Sequence, residues 1–550
     1  MEDVEASAGY RQWLLSRVGN TLGREWVFVG AVICGSLLRA YQLSDQILVD
    51  DEWHALNAVI YMDAWEILTT FGDSHISAPM ALYFKFFMNK WGLSEVAIRA
   101  PFLLVGVATL VIFPLAARRF VGRFAADLFA WLLAISPALV LFSRFARPYG
   151  ISLLLAMAAV YLFRAWWIAA VVRLGVLYVL LAGLAVWLLP VMLPFVLGPF
   201  VFFLTFAFRG GRATRSVLVR RLVSLGVVTA MVLAVVLGSA LRRDVGSLVE
   251  KTRQQSVSVE TAASALGVLV GSAGPVLGAC MVALGAVGFL GFFRRGSFLT
   301  YLGVLALLQV AAVLAAGPLG GGSPFIVARY MLPVGPILLL FAAAGAARLA
   351  KWSGSHARWA GPAMATGLVC ASLLKGPLPA QAFYPNQWMS QQILVSASFG
   401  AEEYNRSVQR TPEFYRTLAR LRPGSIRIVE ASSNAFDLWV ALAHYQRLHR
   451  QHTLIGFHNG LCGSMHWGEY PMGDSRFRFR NYVFLADPAS LMDRGVHYVI
   501  FHKWLEGEGL ARRYPLFEQD LSVCISEYRR RVGEPVFEDR DVLVFKLETQ

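Results

Sequence analysis

Residues 79–91 read PMALYFKFFMNKW, and whether this stretch crosses a membrane decides the fold. Thirteen helical residues at 1.5 Å each reach about 20 Å, against a hydrocarbon core of about 30 Å. Lys85 and Lys90 interrupt the run. It is therefore expected to lie along the interface, with its lysines snorkelling to water. Counting it as a span would invert every later loop and carry the arginine clusters outside, against the positive-inside bias.

Working outward, the remaining apolar runs are long enough to span. They are 27–43, 96–117, 125–142, 150–167, 174–189, 191–208, 222–241, 265–293, 299–316, 330–347 and 359–378, which makes about eleven crossings. The chain is 57% hydrophobic and only 15% charged, where a soluble domain carries roughly 25% charge. Its net charge of +15 does not point to nucleic acid, because the basic residues cluster between apolar runs. With eleven spans (about one per run), the clusters at Arg11/Arg17/Arg24, Arg118/Arg119/Arg123, Arg164/Arg173, Arg209–Arg221, Arg294/Arg295 and Arg348–Arg358 all fall in the cytoplasm. Loops 44–95, 143–149, 242–264 and 317–329 then face outward, as does everything after about residue 379. The acidic start, without a small-residue cleavage site, reads as an uncleaved signal anchor.

The expected fold is thus a polytopic α-helical membrane protein of the cytoplasmic membrane with a C-terminal extracytoplasmic α/β domain. Its parts are a cytoplasmic segment 1–26, a transmembrane domain 27–378 with first outer loop 44–95, and an outer domain 379–550. In the outer domain 425–430, 498–502 and 542–547 have strand character, and 434–450 and 487–495 helix character. Cys462 and Cys524 can pair if this part lies outside the cytosol. Arg476-Phe477-Arg478-Phe479-Arg480 alternates like an exposed edge strand managed by charge.

Just beyond the first span stand Asp50-Asp51-Glu52, followed by His54. Three adjacent carboxylates repel one another, so they need a partner or a task. One of them can act as a base toward a weakly acidic acceptor. Equally, Asp50 or Asp51 can cap a helix over 53–71. Asp51-Glu52-Trp53-His54 is not the H-E-x-x-H pattern, so no metal is expected from spacing, although a divalent ion can be held at the Asp51/Glu52 loop with His54 and His75. On the same face, Ser143-Arg144-Phe145-Ala146-Arg147-Pro148-Tyr149 and Arg329-Tyr330 offer guanidinium groups. These suit either a phosphate or interfacial anchoring.

The order of these motifs carries a resemblance. Asp51-Glu52 is followed by His75-x-x-x-Pro79, then Ser94-Glu95-x-x-x-Arg99-x-Pro101, then Arg118-Arg119-Phe120-x-Gly122-Arg123, and finally Ser136-Pro137 leading into Ser143–Tyr149. This resembles the polytopic GT-C glycosyltransferases. More narrowly it is similar to bacterial relatives of the protein O-mannosyltransferases and of the lipid A aminoarabinose transferase, the glycosyltransferase family 39 type. The resemblance is specific over residues 43–164, looser to 378 and absent beyond. Ile76-Ser77-Ala78 separate His75 from Pro79, where relatives often have His-Pro-Pro.

The resemblance implies an inverting transfer from a polyprenyl-phosphate sugar to a cell-envelope acceptor (lipid, glycan or protein), at the outer face of the membrane. Asp51 would be the general base, and Glu52 would support it or position substrate. His75, Arg144, Arg147, Arg329 and Tyr330 would meet the donor's phosphate or sugar, with Asp50, His54 and Tyr149 as further substrate contacts. A transporter or lipid flippase is the alternative. It predicts ionisable residues at mid-membrane and broken helices related by a repeat; 271–275 interrupts one span, with no counterpart in another half. A receptor or scaffold leaves the acidic cluster with capping alone.

Overall fold

The computed structural model of the protein describes residues 25–46, 48, 52, 56, 59–60, 62–69, 77–208, 212–250, 256–271, 275–291, 297–317, 324–352, 360–375, 378, 411–431, 445–446, 448–458, 460–462, 476–502 and 517–547. Among the described residues six helices are long and apolar enough to cross a membrane: Glu95–Val121, Tyr149–Ala169, Pro190–Ala207, Arg215–Gly238, Phe298–Ala316 and Val334–Trp352. Val172–Leu188, Val259–Val270, Val276–Gly291 and Gly361–Leu374 are shorter apolar helices, and residues 25–40 form another helix. Large apolar side chains such as Leu104, Val176, Val235 and Leu307 point outward, as a lipid-facing surface requires. The chain is a multi-pass helical membrane protein.

Helix Glu95–Val121 shows why the sequence folds this way. Ser94 accepts the Ala97 N–H at its start, Arg118 and Arg119 lie in its last turn, and Gly122 ends it at φ +83°. Helices Pro275–Gly291 and Val334–Trp352 meet backbone to backbone. A Cβ on Gly345 would lie 1.9 Å from the Leu284 carbonyl oxygen, so only glycine permits the approach.

Several expected spans are broken. Run 125–142 is two helices, Arg123–Ala134 and Pro137–Phe142, because Pro137 brings no N–H and Ser136 caps the second helix through Leu139 N–H. Run 265–293 breaks at Gly271, whose φ is +75°. The two breaks touch: a Cβ on Gly271 would lie 2.7 Å from Pro137 Cδ. Run 330–347 begins as a separate helix, Pro324–Tyr330. The expected outer loop 242–264 starts as helix, since Arg212–Glu250 runs 39 residues, about 58 Å. The expected helix 53–71 is also interrupted. Asp63 and Glu66 cap each other's N–H groups at 2.9 and 2.7 Å, which starts a new helix at Ala64–Thr69.

The C-terminal domain, called the outer domain for the side of the membrane expected of it, carries a six-stranded sheet in the order β3-β2-β1-β4-β6-β5. The strands are β1 Arg427–Ala431, β2 His452–Phe457, β3 Tyr482–Phe484, β4 Tyr498–His502, β5 Phe537–Glu538 and β6 Val542–Lys546. The first four are parallel to one another, while β6 runs antiparallel to β4 and β5 to β6. Strands β1, β4 and β6 match the expected ones; β2, β3 and β5 were not legible. Helix Pro488–Asp493 falls in the expected 487–495 and is capped by Asp487. Most of 434–450 lies outside the described residues.

One sheet face buries Val429, Val499, Phe501 and Phe545 beneath helix Phe517–Val532. A Cys462–Cys524 disulfide, Cα–Cα 5.1 Å, joins that helix to the chain after β2. On the other face Glu430 and His502, at the ends of β1 and β4, bond at 2.8 Å, and Tyr415 donates to the same carboxylate. Burial and the adjacent Glu430 charge push the Tyr415 hydroxyl well above its usual range.

The basic-aromatic run 476–480 is not a free edge. Leu93 N–H donates to Arg476 O at 2.6 Å and Arg478 N–H donates to Leu93 O at 2.7 Å. Phe477 and Phe479 are buried. The run was misread because its partner, Leu93, lies nearly 400 residues earlier (about the whole membrane domain away, and invisible to a local pattern).

Candidate active site

The described part of the site is built around Glu52, which is 0% exposed. Arg99, equally buried, grips it in a two-point pair: Nε to Oε1 at 2.9 Å and Nη2 to Oε2 at 2.7 Å. The Ala146 N–H adds a third bond to Oε1 at 2.8 Å. Arg99 Nη1 also donates to the carbonyls of Leu43 and Gln46, at 3.2 and 2.6 Å. One guanidinium on helix Glu95–Val121 thus fixes the chain both before and at the acidic cluster. Such a pair repays its desolvation only because the remaining donors are also satisfied.

Arg144 is buried rather than presented at the surface. Its Nη1 donates to the carbonyls of Leu38 and Tyr41 at 3.0 and 2.6 Å, and its Nε and Nη2 lie 3.4 Å from Gln46 Oε1. Arg144 ties the end of the first helix to the turn at 143–148. Arg39 does the same one layer deeper, donating to Ser143 Oγ and to the carbonyls of Gly35, Ala134 and Leu133. A Cβ on Gly106 would overlap Ser143 Oγ at 2.1 Å, so this junction has no spare volume.

The other expected outer-face residues come together. Tyr149 is buried at the start of helix Tyr149–Ala169, and its ring centroid lies 5.9 Å from the Arg329 guanidinium. That guanidinium lies 5.1 Å from the Tyr330 ring, with Nη2 3.3 Å from the Tyr330 hydroxyl. Buried Gln309 holds this end by donating to the carbonyls of Tyr330 and Val191 at 2.9 and 3.0 Å. Arg147 is buried on the turn that carries Ala146. Asp50, Asp51, His54 and His75 lie outside the described residues.

Glu52 does not suit a divalent ion. Both its oxygens face the Arg99 guanidinium, whose charge opposes a dication at the same place. Among the described residues a different trio, His458, Cys462 and Cys524, has its ligand atoms within 4.8 Å of one another, but its sulfurs form the disulfide.

No family model matches the chain, and no curated protein matches it in sequence. Solved structures do. ArnT from Cupriavidus metallidurans bound to undecaprenyl phosphate is similar at a TM-score of 0.45 and 15% identity, over 96% of this chain and 98% of that one. The archaeal oligosaccharyltransferase AglB from Archaeoglobus fulgidus, in complex with an inhibitory peptide and a dolichol-phosphate, is similar at 0.45 and 14% identity, over 92% and 72%.

Sequence reasoning missed the role of two residues here. Arg99 stands in a quoted motif without a task; an arginine one turn into an apolar helix is the available signal. Lys85 was expected to snorkel. Instead its ammonium donates to the carbonyls of Val59 (3.3 Å) and Met62, where the chain leaves the acidic segment.

Proposed function

We propose that the protein is an inverting glycosyltransferase that moves a sugar from a polyprenyl-phosphate donor to a cell-envelope acceptor on the outer face of the cytoplasmic membrane. The observation that carries this is the Glu52–Arg99–Ala146 junction. It draws the acidic cluster against the turn at 143–148, whose following helix begins with the tyrosine facing Arg329. A candidate base and a candidate cation for a lipid phosphate are thereby built on one connected frame. The order of motifs, Asp51-Glu52 through Arg147-Pro148-Tyr149, is the second support. The Cys462–Cys524 disulfide suits an oxidising compartment for the outer domain.

In this reading the Asp51 carboxylate takes the acceptor's O–H or N–H proton. The acceptor atom attacks the anomeric carbon from the face opposite the phosphate. The bond from that carbon to the phosphate oxygen breaks, and polyprenyl phosphate leaves with the bonding pair. One displacement inverts the anomeric centre. Arg329 and Arg147 stabilise the negative charge on the leaving group. Glu52, paired with Arg99, positions Asp51.

The test is transfer by purified wild type and Asp51→Asn with a panel of polyprenyl-phosphate sugars, reading free polyprenyl phosphate. Release by wild type alone supports the reading and names the sugar. Equal release by both moves the base to another carboxylate of the cluster. No release from any donor, even with envelope extract as acceptor source, overturns it in favour of a transporter or flippase.

A further inference from the structure

Among the described residues, the segment 476–482 grips the membrane domain, and two of the groups it grips, Ser44 and Leu48, lie shortly before the acidic cluster. The Tyr482 hydroxyl donates to the Leu48 carbonyl at 2.9 Å. The Asn481 side chain donates to the Ser44 carbonyl at 3.2 Å. The backbone N–H groups of Arg480 and Asn481 both donate to Glu95 Oε1, at 2.7 and 3.1 Å. Leu93 pairs with the same segment through two backbone bonds. Asn481, Tyr482, Glu95 and Leu48 are all buried, so water does not compete for these bonds.

The grip is also stiff. Tyr482 opens β3, which pairs with β2 through Ile455↔Tyr482. Arg494 donates to the carbonyls of Tyr482 and Arg480. Glu95 and Arg99 lie one turn apart on the same helix, so the carboxylate that receives the outer domain and the guanidinium that holds Glu52 share a rigid support. Leu48 precedes Asp50 by two residues. The described residues on either side of Asp50-Asp51 are therefore both held, Glu52 by Arg99 and Leu48 by Tyr482.

We infer that Tyr482, Asn481 and Glu95 are positioning residues for transfer, and that the outer domain sets the placement of the acidic cluster. This rests on reading that cluster as the reaction centre. The hydroxyl of Tyr482 touches no substrate in this account. It fixes backbone, and a displacement of about 1 Å at a reacting group can lower a rate by as much as 100-fold.

The experiment compares full-length wild type with Tyr482→Phe, which keeps the ring and removes the bond, and with Asn481→Ala. Expected for Tyr482→Phe are a kcat about tenfold lower, a donor KM within twofold of wild type and an unchanged melting temperature. Hydrogen exchange should rise in peptides covering 43–52 but not in β1 or β4. Asn481→Ala should shift the same quantities in the same direction. Wild-type kcat in both variants overturns the inference while leaving the transfer reading intact. So does a loss carried by donor KM, which would place Tyr482 at the donor. Absence of transfer by wild type overturns the reading of the reaction centre, and this inference with it.

Discussion

Arg99→Met asks whether Glu52 holds the loop or acts on substrate. The substitution keeps the apolar stem and removes four described hydrogen bonds: those to both oxygens of Glu52 and to the carbonyls of Leu43 and Gln46. Truncating one partner of a buried pair costs about 3–5 kcal/mol, and each orphaned carbonyl adds roughly 1 kcal/mol. The protein need not bear that whole cost if the loop detaches and returns Glu52 to water. Detachment is thus the expected response, with transfer at least 100-fold lower and faster proteolysis between residues 44 and 62. The double variant Glu52→Leu/Arg99→Met buries no charge. It should recover most of the lost melting temperature, since apolar replacement of a buried pair is often neutral, yet remain inactive. A coupling of about 3 kcal/mol between the two sites is expected by thermal unfolding in detergent. Glu52→Gln that melts like wild type but transfers nothing would refute the anchoring argument and return Glu52 to the chemistry.

The outer domain should lose stability in acid through its buried histidines. Burial holds His458 down at about 4 and His449 at about 3, so the unfolded chain binds more protons below its ordinary value of about 6.5. Stability is full above pH 6.5 and falls toward pH 4 by up to about 1.4 kcal/mol per unit for each histidine; melting from pH 7.5 to 4.5 should show this slope, flattened in His458→Leu. Removing the Cys462–Cys524 link as a double serine variant should destabilise the outer domain by up to about 4 kcal/mol, from the 62-residue separation it closes, measured by chemical denaturation. Gly345→Ala should abolish well-folded protein in detergent size exclusion, because its Cβ would lie 1.9 Å from the Leu284 carbonyl oxygen. Gly92→Ala, at φ +79° with Arg476 O 3.0 Å from the added carbon, should loosen the attachment of the outer domain and speed its proteolytic release.

The apolar runs were legible because a span leaves a long unbroken signature. The breaks within them were less so. Ser136-Pro137 sits inside an otherwise apolar run; its cap and missing N–H break the helix there, and the packing of that break against Gly271 shows only in the structure. Strand β4 was legible from its own residues, YVIFH, while β2, HTLIGF, carries glycine and two polar positions that dilute the pattern. At the site, Tyr149, Arg329 and Tyr330 were found as separate outer-face features, and the structure brings them together. At Arg144 the side of the membrane a loop faces and the direction its side chain takes are different statements, and the guanidinium points back toward Tyr41.

The clamp from Tyr482 to Leu48 joins residues 434 positions apart. A ribosome adding about 5–20 residues per second makes Leu48 roughly 20 to 90 seconds before Tyr482 exists. On the proposed reading, the acidic segment would pass that interval without the Tyr482 bond. Nascent chains, and chains cut short before residue 476, would carry Asp51, Glu52, Arg147 and Arg329 and still lack this clamp. Completion of the polypeptide would then be the step that arms the proposed transferase.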